Sequence, residues 1–165
     1  MAKRIAVKRP KRRPSKRPSM NTVLRVTQNV KGQMWKQMFV SAEQWKSEVE
    51  FFEVEMDFLG DLVNKHFTML IGEHNLSKTS SLTSILTEMG KRNETLLQDI
   101  QAHMNRLAGL FENPFAHDAQ ECKNQHENLE ARVASLSRDF KSIKMEVFAL
   151  AKTALASEKG ARRLP

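Results

Sequence analysis

Apolar residues return along this chain at alternating steps of three and four. One run is Met38, Ala42, Trp45, Val49, Phe52, Met56, Leu59, Val63, His66 and Leu70. A second is Leu82, Leu86, Met89, Asn93, Leu96, Ile100, His103, Leu107 and Leu110. A third is Cys122, His126, Leu129, Val133, Leu136, Phe140, Ile143, Val147, Leu150 and Ala154. A mean step of about 3.5 keeps such positions on one stripe of an α-helix, where helix packs on helix. Phe51, Phe58, Leu62 and Met69 broaden the first stripe on one side, which suits a bundle better than a two-stranded coil.

The residues between the stripes punctuate them. Ile71-Gly72-Glu73-His74-Asn75 reads as a stop and turn, and Ser77 to Ser81 offer caps for the second helix. Asn113-Pro114 and Asp118 to Glu121 each offer a start for the third, which Gly160 ends. Ser41-Ala42-Glu43-Gln44 reads as a capping box for the first, with an entry near Gln33 as the alternative. The pattern predicts an all-α fold: an antiparallel up-down-up bundle of three long helices over residues 41–160. Residues 20–40 form an ambiguous amphipathic connector. Val23, Val26 and Val30 have helical spacing there, while β-branching and Gly32 weigh against a helix. A fourth helix, from residues 20–40 or from a second subunit, would complete a four-helix arrangement.

Composition supports the helical reading and adds a second feature. Six glycines, five prolines and no tyrosine occur in 165 residues, and no proline falls within residues 41–112. The charge is unevenly placed. The first 19 residues hold nine of the 27 Lys and Arg and no acid, leaving 18 bases against 19 acids in the rest. The high isoelectric point therefore belongs to a tail, and residues 1–19 are expected to be disordered, with like charges and little to bury. Within the tail, Lys8-Arg9-Pro10-Lys11, Arg12-Arg13-Pro14-Ser15 and Lys16-Arg17-Pro18-Ser19 repeat one another. Proline at every fourth position blocks a helix and favours an extended, polyproline-like rod. Lys8, Arg9, Lys11, Arg12, Arg13, Lys16 and Arg17 are the candidate nucleic-acid-binding residues, following phosphates with little sequence preference. An acidic membrane surface or an acidic protein would satisfy the same charges, and the null alternative is a tail with no specific partner.

One cysteine, no run long and apolar enough for a transmembrane segment and no apolar signal-peptide core predict a cytoplasmic protein. The candidate chemistry lies in polar residues on the stripes: His66, Asn93, His103 and His126. With the second turn centred near residue 114, His103 and His126 stand at one height on neighbouring helices. With the first turn centred near 76, Val49 and its neighbour Glu48 join that height. Cys122 lies one turn before His126, so His103, His126 and Cys122 are the candidate Zn²⁺ ligands. The competing reading is structural: seam histidines that bond to each other, with His66 and Asn93 as register-fixing polar residues. Trp35 and Phe39 fall off the chosen stripe and form a candidate contact patch. No nucleophile with its base, no Gly-rich phosphate loop and no paired Glu-x-x-His motif is present, and no small-molecule substrate suggests itself. The expectation is a non-enzymatic scaffold without a cofactor, whose tail binds nucleic acid. A metal-binding bundle and a purely structural, self-associating protein are the alternatives.

Arg138 to Phe148, RDFKSIKMEVF, together with Trp45-Lys46-Ser47-Glu48, Phe51-Phe52, Phe58-Leu59 and His126 to Leu129, is similar to a family of small all-helical proteins from Bacteroidota-type bacteria. The resemblance spans about residues 42–150 and excludes the basic tail. It implies a helical fold and a bacterial cytoplasmic setting, and it implies no activity.

Overall fold

The computed structural model describes residues 20–67, 73–112 and 119–161. Three helices account for all of them: α1 (Met20–Phe67), α2 (Glu73–Glu112) and α3 (Ala119–Ala161). They pack on one another as an up-down-up antiparallel bundle, as the stripes predict, and each helix touches both others. The core is the three stripes laid together. Val49, Leu59 and Val63 from α1, Ile100, Leu107 and Leu110 from α2, and Leu129, Leu136 and Val147 from α3 are all but removed from water. Phe52 and Phe140 meet at its centre with ring centroids 5.0 Å apart. Burying a side chain of this size stabilises by roughly 1.5–3 kcal/mol, so this shared seam, rather than helix propensity, holds the fold.

α1 differs from expectation in three respects. It runs unbroken from Met20, so residues 20–40 continue the first helix and add no fourth one. Trp35 is 2 % exposed and belongs to the core, not to a surface patch. The reason lies in the stripe itself: residue 35 is one three-residue step before Met38, so the seam simply extends backwards. Phe39 packs edge-on against Phe111, at 6.1 Å between centroids. The broadened side of the stripe is the third difference. Phe51 and Phe58 are 60 % and 61 % exposed, because two partner helices cover only one side of α1.

α2 begins at Glu73, ahead of the expected caps at Ser77 to Ser81. Hydroxyls in this stretch serve the helix from within. Thr83, Ser84 and Thr87 each donate to the carbonyl four residues back, at 3.0, 3.0 and 2.8 Å. That bond satisfies a side chain that would otherwise compete with the helix. The first turn is consequently centred nearer residue 70 than 76. A ladder of ion pairs fixes α2 against α3: Arg92 with Asp139 at 2.9 Å and Arg132 with Asp99 at 2.7 Å. Lys144 joins α3 to Glu55 of α1 at 2.5 Å, with its ammonium 4.9 Å from the Phe140 ring centre.

Candidate functional site

His103 and His126 meet across α2 and α3, as their heights predict. Nε2 of His103 lies 3.1 Å from Nδ1 of His126. His103 is wholly buried and His126 half-buried. Trp45 of α1 lies on the His126 ring at 4.5 Å between centroids, so three helices converge on the pair. Neither Val49 nor Glu48 takes this place: Val49 lies level with Asn93 instead, and Trp45 reaches the pair. Arg106 closes the side of the cluster. It donates to Gln125 Oε1 at 2.7 Å and lies 3.7 Å from Glu121.

Burial sets the electrostatics. It is the first reason the His103 pKa falls from its ordinary value to about 4; His126 and the Arg106 guanidinium push the same way, and Gln125 opposes them. His126 is lowered as well, chiefly by burial, against the pull of Glu130 and Glu127. Both rings are therefore neutral at pH 7, and one must donate to the other. His103 Nδ1 is buried without a partner. Which ring donates is set by the tautomer of the pair.

Cys122 is fully buried, and its thiol is pushed up, first by burial and then by Glu121, while Arg106 pulls the other way. A raised thiol in an apolar wall is a poor nucleophile. Among the described residues no three His, Cys, Asp or Glu side chains come together as metal ligands, so Cys122 does not complete a triad with the two histidines. Two imidazoles alone fall short of the four ligands of a structural zinc site.

Asn93 reaches from α2 to α1. It is buried, and its Nδ2 donates to the Val49 carbonyl of α1 at 3.0 Å, while Oδ1 has no partner. His66 lies in α1, but its side chain falls outside the described residues, as do Lys8, Arg9, Lys11, Arg12, Arg13, Lys16 and Arg17. An open groove of about 770 Å³ runs between α1 and α2, walled by Glu53, Asp57, Asp61 and Glu94 and widened by Gly60 and Gly90. Among the described residues no helix is long and apolar enough to cross a membrane.

Sequence reasoning missed Trp45 as a ring partner and Arg106 as the flanking charge, since both depend on helix register. It also missed that the outer side of α1 stays in water. The available signal was the seven-residue spacing of Phe51 and Phe58, and of Phe148 and Leu155, outside the main stripes. The chain matches no family model, no curated protein and no solved structure.

Proposed function

We propose that this protein is a non-enzymatic helical scaffold that carries a cationic arm to a polyanion, with nucleic acid as the ligand. One observation carries the reading. All of the chain's excess positive charge lies in its first 19 residues, ahead of a body that is nearly neutral. The arm repeats a Lys/Arg pair followed by proline, a chemistry that holds cations along an extended rod without a fixed fold. Such a rod neutralises phosphates and releases their counterions, and it reads no base edges. The bundle supports the reading by what its polar groups do: the buried histidine pair and Asn93 and the exposed α2–α3 ion pairs all join helices.

The test is binding of the full chain to random-sequence duplex DNA and to RNA across a salt series. Neutralising about five phosphates gives a slope of roughly −4 to −5 in log K against log salt for duplex DNA. Replacing Lys8, Arg9, Arg12, Arg13, Lys16 and Arg17 together with Gln should remove both the binding and the slope. Binding that survives this replacement would locate the polyanion site on the bundle. No binding by the parent protein at physiological salt would end the nucleic-acid reading.

A further inference from the structure

A second seam lies outside the core, along the side where α1 and α3 run parallel. Phe51 and Phe58 stand seven residues apart on α1, with Val54 between them. Phe148 and Leu155 stand seven apart on α3, with Met145 beside them. A seven-residue step returns to the same line on a helix, so each pair forms a straight apolar edge. Phe58, Met145, Phe148 and Leu155 are 61, 66, 47 and 49 % exposed. Between Phe148 and Leu155 the surface forms a shallow, almost wholly apolar hollow with Ala151 in it. The three phenylalanines alone leave on the order of 300 Å² of ring surface in water. With the aliphatic neighbours the face reaches the size at which exposed patches mark contacts, roughly 300–600 Å².

The charges beside this face are sorted by helix. The α1 edge carries Glu48 and Glu55. The α3 edge carries Arg138, Lys141, Lys144 and Lys152, while Asp139 of α3 turns instead to Arg92 of α2. Lys144 and Glu55 already pair within the chain, which fixes the relative height of the two edges. On that scale Phe58 and Phe148 are level, three and four residues further on. The acidic edge and the basic edge therefore carry opposite charge over the same length.

We propose that this face binds a second copy of the chain, in a parallel two-fold dimer. An axis running along the helices places α1 of each copy opposite α3 of the other. That arrangement sets the acidic edge on the basic edge twice and brings Phe58 against Phe148 of the second copy at both ends of the operation. The antiparallel alternative sets α1 on α1, acid against acid. The cationic repeat of the arm does not fit, because Lys8 to Ser19 contains no apolar side chain apart from its prolines to fill the hollow. The proposal takes from the scaffold reading only that the bundle is a packing unit.

The experiment uses the full chain with no nucleic acid present, so it fails or succeeds apart from the polyanion reading. Sedimentation equilibrium across micromolar concentrations should give a dimer. Phe58→Glu and Phe148→Glu should each shift it to monomer by at least tenfold in dissociation constant, with helical circular dichroism and melting of the monomer retained, because both rings are already in water. Orientation is read by mixing differently tagged Phe58→Cys and Phe148→Cys chains under oxidation. A disulfide joining one chain of each kind is expected. A monomeric parent protein, or dimers that both glutamate variants leave intact, overturns the proposal. Disulfides formed only between two Phe58→Cys chains overturn the parallel geometry.

Discussion

The His103 ring is stable in the fold only without its extra proton. It faces His126 and Gln125 of α3 and Arg106 of its own helix, and His126 in turn faces Glu130 and Glu127 of α3 and Trp45 of α1. Its folded pKa, about 4, lies below the ordinary 6.5, so the unfolded chain binds the proton first. Stability from the neutral ring is complete above pH 6.5 and is lost as pH falls from there towards 4. We expect the loss attributable to His103 to be roughly 2 kcal/mol at pH 5, read as the difference in urea unfolding between the parent protein and His103→Leu at pH 7 and pH 5. Asn93 tests a different cost. Its Oδ1 is buried without a partner, and an orphaned acceptor costs about 1–3 kcal/mol. Asn93→Leu should raise the urea midpoint by about 1–2 kcal/mol of stability, while a second set of amide NMR signals reports a loosened α1–α2 register. The histidine pairing was legible in the sequence because Asn113-Pro114 marks the break between the second and third stripes, and heights follow from there. Trp45 was not legible, since its height depends on the first turn, where no proline fixes the centre.

At the scale of the helix, the stripes were almost complete in the sequence. Every described residue of the second stripe is buried, Asn93 and His103 included, because a helix seam is a matter of periodicity alone. The ends were harder to place. Ser77, Ser80 and Ser81 look like caps, yet α2 starts at Glu73, and further in the hydroxyls of Thr83 and Ser84 donate to its own carbonyls. The outer edge of α1 was misjudged for another reason: a broad apolar stripe states how much surface wants cover, not how many helices supply it. Gly60 and Gly90 offer a direct test at this scale. Both lie inside helices, and a Cβ added at either meets nothing within 4 Å. Gly60→Ala and Gly90→Ala should each stabilise the bundle by about 1 kcal/mol, additively, in thermal and urea unfolding. A gain at one site and a loss at the other would mean that the groove between them closes on a side chain.

For the molecule as a whole, what holds it together and what sets its net charge are separate. The core is apolar, and the ion pairs joining the helices are largely solvent-exposed, a class worth about 0–1 kcal/mol each. Replacing the six arm cations with Gln removes most of the net charge, yet should shift the melting temperature by less than about 2 °C at physiological salt, since surface changes of this kind usually stay within about 0.5 kcal/mol. A larger fall would show that the arm folds back on the acidic side of α1.

The length of α1 bears on that acidic side. The helix begins at Met20, immediately after the arm, and its first acid is Glu43. At 1.5 Å per residue those two points are roughly 35 Å apart. Mobile ions screen exposed charges over about 8 Å in physiological salt. The distance spans several screening lengths, so a polyanion held at the Met20 end would not feel the carboxylates that line the far half of the same helix.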